Sequence, residues 1–363
     1  MLKYFVLSVL ALLIYACAQD PGKEQVAIEE VNLDGENVEA SDIEAKKLSE
    51  LGFFKSPMNK LEPAEGVVPY DLATPLFSDY AFKARFVKLP EGKMAKYHPT
   101  ETMDFPEGTI LIKNFYYPAD FRKPEGERRI LETRLLINEG EEWKAEAYVW
   151  NEEQTEAYLE IAGERINISW VHYNGVEKQL NYSVPTQNQC KGCHSKSNKM
   201  MPIGPTSRQL NKQFDYADVS ANQLKYWSEN GLLAGLHQNI SELDAVPLWD
   251  DPESGNLEQR ARAYLDINCA HCHRAEGPAN TSGFFLDYYQ KRKTALGIYK
   301  SPIAAGRGSG GLKYDIHPGK PDSSILYFRM ISEDPGIMMP ELGKKMVHTE
   351  GVELIRKWIA QMN

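Results

Sequence analysis

Two five-residue stretches carry the strongest chemical signal in this chain: Cys190-Lys191-Gly192-Cys193-His194 and Cys269-Ala270-His271-Cys272-His273. Cys-x-x-Cys-His is the attachment pattern of c-type haem. The spacing has a chemical reason. Two thiols three positions apart can each form a thioether to one of the two vinyl groups of a single porphyrin, and the next residue places an imidazole under the iron. The chain has 5 Cys in 363 residues, so these two runs use all but Cys17. Other cysteine chemistries fit less well. A zinc ribbon wants two Cys-x-x-Cys pairs roughly 15–20 residues apart, and a thioredoxin-like pair wants a βαβ setting and no trailing His. Structural disulfides stay open in an oxidising compartment. Cys190, Cys193, Cys269 and Cys272 are expected to hold two covalent haem c groups, with His194 and His273 as the proximal iron ligands.

The distal side needs separate candidates. Met338-Met339-Pro340 precedes the C-terminal helical pattern, with glycine- and proline-rich chain between it and His273. Met339 is the expected distal ligand of the second haem, with Met338 as the alternative, because His/Met is a common axial pair in cytochromes c. For the first haem, Met200 and Met201 lie close behind His194, and seven residues span at most about 25 Å. His237, His172 and His98 stand beside them as alternatives, and an open site is a further one. His271, at an x position of its motif, is expected to face solvent. Arg307 and Arg329 are candidates to pair with haem carboxylates, since guanidinium suits carboxylate.

Around these residues the composition is that of a globular protein with a formal net charge of −10. That excludes nucleic acid and anionic lipid as charge-matched partners and allows a redox protein with a basic docking face. Residues 1–16 read as an export signal: Lys3, then an apolar run from Phe5 to Ile14 too short to span a bilayer. Leu13-Ile14-Tyr15-Ala16-Cys17 resembles a bacterial lipoprotein box, which makes residues 1–17 signal and anchor and Cys17 the lipid-bearing residue. Ordinary cleavage at Ala16-Cys17-Ala18 is the alternative. Export fits haem, which is attached to c-type cytochromes outside the cytoplasm. The expected location is lipid-anchored, at an outer membrane or periplasmic face.

Residues 18–55 are expected to be a tether, acidic and free of aromatic residues up to 44. From 60 to 185 the pattern is β. Trp143, Ala145, Ala147 and Val149 alternate with polar or outward residues, and Asn174-Gly175 between two alternating runs is a two-residue hairpin signal. Pro185 argues against a helix at the first motif, so helices are expected only over about 207–214 and 220–230. Residues 186–250 thus read as a reduced first haem module. The spacing of Leu257, Ala261, Tyr264 and Leu265, and of Val352, Ile355 and Ile359, predicts amphipathic helices before the second motif and at the C-terminus. Residues 251–363 read as a cytochrome c domain. The expected fold class is α+β multidomain: an antiparallel, sandwich-like β domain followed by an α-helical diheme region.

With these stretches in hand, the chain resembles exported diheme c-type cytochromes, often lipoproteins. The likeness rests on Pro75-Leu76-Phe77-Ser78-Asp79-Tyr80-Ala81, Phe105-Pro106-Glu107-Gly108-Thr109, the two haem motifs with Arg260–Asp266 before the second, and the Met-Pro loop ahead of Trp358. It implies haem binding and electron transfer and names no substrate. The expected function is electron transfer between a redox partner, such as an exported dehydrogenase, and an acceptor. The alternative is a peroxidase-like oxidoreductase working at the first haem.

Overall fold

β-Branched and aromatic residues at alternate positions build the largest element, and its alternation decides what faces what. In the computed structural model, which describes residues 46–303 and 305–363, strands β1 (Val67–Tyr70), β2 (Phe82–Lys88), β4 (Ile110–Pro118), β5 (Arg128–Asn138), β6 (Trp143–Trp150) and β7 (Ala157–Glu160) form one six-stranded antiparallel sheet in the order β1-β2-β4-β5-β6-β7. The short β3 (Ala95–Lys96) pairs in parallel with β14 (Leu233–Ala234). Phe86, Ile112, Leu135, Tyr148 and Trp150 line one face and pack under Leu48, Phe53 and Leu61 from the preceding segment. On the opposite face, Leu111, Trp143 and Ala145 pack against Met200, Leu210, Leu224 and Trp227. The hairpin β8 (Arg165–Val171) and β9 (Glu177–Ser183) covers a further part of that face, burying Ile168, Trp170 and Tyr182 on Phe115 and Tyr117. Gly175 takes a positive φ of 80° in its turn, as the Asn-Gly signal requires.

The α-helical diheme region does not exist as such, and the expected fold class is corrected to a mainly β chain. Among the described residues, the α-helices are α1 (Gln187–His194), α2 (Ser207–Leu210), α3 (Gln223–Glu229), α4 (Leu257–Leu265), α5 (Ile325–Met330) and α6 (Thr349–Ala360). The longest has 12 residues. Between them run turns and two- or three-residue strands: β10 (Ser195–Lys196) with β11 (Lys199–Met200), and β12 (Gln213–Asp215) with β13 (Ser220–Asn222). The reason is local. Residues 271–324 hold no sustained 3.6-residue apolar period and are broken by Gly and Pro. The helix expected over 207–214 stops at Leu210 and gives way to β12. The one expected over 220–230 starts at Gln223, because the Asn222 side chain caps it by accepting from the Leu224 and Lys225 amides.

Residues 46–363 belong to a single unit. The export signal, Cys17 and the acidic stretch up to residue 44 lie outside the described residues. Among the described residues no helix is long and apolar enough to cross a membrane.

Candidate functional site

The first motif sits on a helix that Pro185 does not prevent. The proline stands outside it, and Thr186 caps it. The Thr186 hydroxyl accepts from the Gln189 amide at 3.3 Å, and the Gln189 side chain accepts from the Thr186 amide at 2.9 Å. Residues at i, i+3 and i+4 share one face of a helix, so α1 gathers Cys190, Cys193 and His194 on one side. Gln187 Nε2 ties the helix to the Ala145 carbonyl of β6. The β10–β11 hairpin, turned at Ser197 and Asn198 with positive φ, then brings Met201 back beside His194. The Met201 amide donates to the His194 carbonyl at 2.7 Å, and His194 Nδ1 lies 2.8 Å from the Met201 carbonyl.

The second motif grows out of α4. Asn256 and Gln259 form its capping box, and past Leu265 the helix widens into a π turn, Asp266–Ala270, that carries Cys269. The amides of Cys272 and His273 both donate to the Cys269 carbonyl. His273 Nδ1 lies 3.2 Å from the Phe284 carbonyl. Asn268 anchors the turn by accepting from the Phe77 amide at 2.7 Å. Next to Phe77, the Asp79 carboxylate accepts from the amides of Lys345 and Met346.

The two motifs touch each other. Cys272 Sγ lies 4.0 Å from the Gly192 carbonyl, and the Ser197 amide donates to the Glu276 carbonyl at 2.8 Å. Glu101 holds both flanks, pairing with Lys196 at 2.9 Å and Arg274 at 2.7 Å. A cavity of ≈390 Å³ opens here, lined by Cys193, His194, Met201, Arg208, His271 and Arg274 among others. Arg208 is almost fully buried there, stacked 3.8 Å above the Tyr288 ring.

These residues fit a covalently bound haem on both counts of its chemistry. None of the four cysteines is in a disulfide. Free thiols can form thioethers with vinyl groups, and burial pushes these four up, Cys269 and Cys272 to about 12. His194 and His273 each turn Nδ1 to a backbone carbonyl, which places the proton there and leaves Nε2 as a free lone pair; metal-binding histidines are held in this way. Burial pushes His194 down to about 4 and His273 below its usual range, so both imidazoles are neutral. Among the described residues no group of three His, Cys, Asp or Glu could hold a metal ion on protein ligands alone.

The other sequence candidates separate clearly. Met338 is buried, and Met339 is fixed by its amide to the Arg329 carbonyl. Arg329 and Glu341, on either side of Met339, act electrostatically on His273, so this loop flanks the second motif. Arg329 also donates to the Ile337 carbonyl, whereas Arg307 is exposed and pairs with Asp334. Met200 is buried in the core against the sheet, and Met201 is tied by its backbone to His194 itself. His237 is exposed. His98 Nδ1 accepts from the amides of Thr100 and Glu101, and His172 Nδ1 accepts from Trp170 Nε1, so both carry their proton on Nε2. His271 does not face solvent as expected. It lines the cavity beside the first motif, because the second motif packs against the first.

Sequence reading also missed a row of basic side chains on the sheet. Arg85, Lys113 and Arg134 lie directly opposite one another on adjacent strands. Lys83 flanks them, pushed down to about 7 by burial and by Arg85. Arg134 acts electrostatically on Cys190, Cys193 and His194, and Lys113 on Cys193 and His194. The available signal was basic residues at alternate positions inside otherwise apolar strands.

Comparison with protein-family models, with curated proteins and with solved structures finds no match for this chain.

Proposed function

We propose that this chain is an exported diheme c-type cytochrome that passes electrons between a redox protein and an acceptor. One haem would be held by Cys190 and Cys193 with His194 on the iron, the other by Cys269 and Cys272 with His273. When bound, each group supplies a one-electron centre. The observation that carries the reading is the contact between the two attachment motifs, with Cys272 Sγ 4.0 Å from the Gly192 carbonyl. Two cofactor sites that touch serve electron passage between them; two isolated sites would not. The protein's own part is to hold both imidazoles neutral with Nε2 free, and to shelter the thiols until they react. Anchoring through Cys17 and a basic-faced partner belong to the same proposal.

The test is haem counting. Full-length protein made with haem-maturation machinery should retain two haems through denaturation, by pyridine haemochrome. C190A/C193A and C269A/C272A should each retain one. Small mediators should reduce and reoxidise the holoprotein. Absence of covalent haem in the unaltered chain overturns the proposal.

A further inference from the structure

We propose that His271 is the sixth ligand of the iron bound by His194, so that the second attachment motif completes the first haem site. This inference rests on the haem reading above.

Two observations point to it. His271 lines the same cavity as Cys193 and His194. Its buried Nδ1 lies beside the Ile267 carbonyl, which favours a proton on that nitrogen. With Nδ1 turned to a carbonyl, Nε2 is the free lone pair, the same arrangement as in His194 and His273.

The competitors lack this combination. His98 and His172 present the wrong tautomer, His237 is exposed, Met200 is buried in the core, and the Met201 side chain packs against that same core while its carbonyl faces His194 Nδ1. Local structure explains the placement. The π turn Asp266–Ala270 inserts one residue per turn into the end of α4, and such bulges re-aim side chains at functional sites.

The experiment reads ligation directly. In the oxidised wild-type holoprotein, electron paramagnetic resonance should show one haem with a bis-imidazole low-spin signal. In H271A, haemochrome counting should still give two haems, while one haem becomes high-spin, binds carbon monoxide when reduced, and returns to low-spin on adding imidazole. H271M should keep that haem low-spin, raise its midpoint potential and add a near-infrared thioether band. A first haem that is high-spin or carbon-monoxide-reactive in the wild type overturns the inference, as does an H271A protein with both haems unchanged. Either result leaves the haem count, and so the underlying reading, intact. Loss of covalent haem from the wild type would instead overturn the reading itself.

Discussion

The two attachment sites share one five-residue pattern and are set in opposite surroundings. The first lies against the basic row Arg85, Lys113 and Arg134 of the sheet. The second lies among Leu265, Phe284, Leu286, Leu326, Met330, Ile355 and Trp358, the apolar cluster shared by α4, α5 and α6. Identical chemistry at the cysteines is therefore placed in two different dielectric and charge environments. Charge weighs more at site one and packing more at site two, and each can be attacked separately.

Packing should give the larger effect. Gly351 on α6 presses against Tyr264 of α4, and a Cβ there would overlap the tyrosine ring. Glycine is needed for that close approach. Gly351→Val should lower stability by about 1–3 kcal/mol, the scale of overpacking a close-packed contact. Thermal unfolding of the holoprotein checks the size. The comparison predicts that the midpoint potential of the first haem stays in place. If it shifts as much as that of the second, the two environments are not separable.

That separation was partly legible in the sequence. The spacing of Val352, Ile355 and Ile359 marked α6, and Asn174-Gly175 marked the β8–β9 hairpin, because both are local patterns of period 3.6 and 2. The two Cys-x-x-Cys-His runs are plain in the sequence itself. The rest was hidden for physical reasons. Pro185 looked like a helix breaker, yet one residue later Thr186 caps α1; a proline just outside a helix costs nothing. His271 looked solvent-facing because the cavity it lines is walled by residues far away in sequence, His194 and Met201 among them. The row of basic side chains depends on strand register, which no single strand reveals. The helical region was over-read from two good helices, while the chain between them folds as turns.

Charge at the first site should give a middle-sized effect. Cations beside an iron favour its reduced form. Arg134 keeps its charge at any working pH, and it acts on Cys190, Cys193 and His194. Because Arg134 is paired with the buried Glu132 carboxylate, which gains a proton when its partner is lost, Arg134→Gln should lower the first midpoint potential by at most about 1–2 kcal/mol, the scale of one charge at an effective dielectric of about 20. For one electron that is roughly 40–90 mV. Spectroelectrochemical titration resolves the two waves, and the second should move less. Equal shifts in both would remove the electrostatic half of the comparison.

The smallest effect should come from the residue that joins the two sites. Glu101 accepts from Lys196, just after the first motif, and from Arg274, just after the second. Burial works to raise its carboxyl, but the hydrogen bonds from Arg274 and Lys196 outweigh it and hold the group below the usual range of 4.5. A carboxylate with a depressed folded pKa adds stability above its unfolded pKa, and that stability is lost as the pH falls through the folded value. All three side chains keep some exposure, at 33% for Glu101 and Lys196 and 22% for Arg274, so solvent screens the pairs. Glu101→Gln should therefore cost no more than about 1 kcal/mol near neutral pH. The difference from wild type should vanish as the pH drops below the usual carboxylate range. Unfolding by denaturant across that range reads it. A penalty that persists in acid would mean that Glu101 acts by shape, through its neutral hydrogen bonds, and that the two sites are held together by backbone contacts such as Ser197 to Glu276.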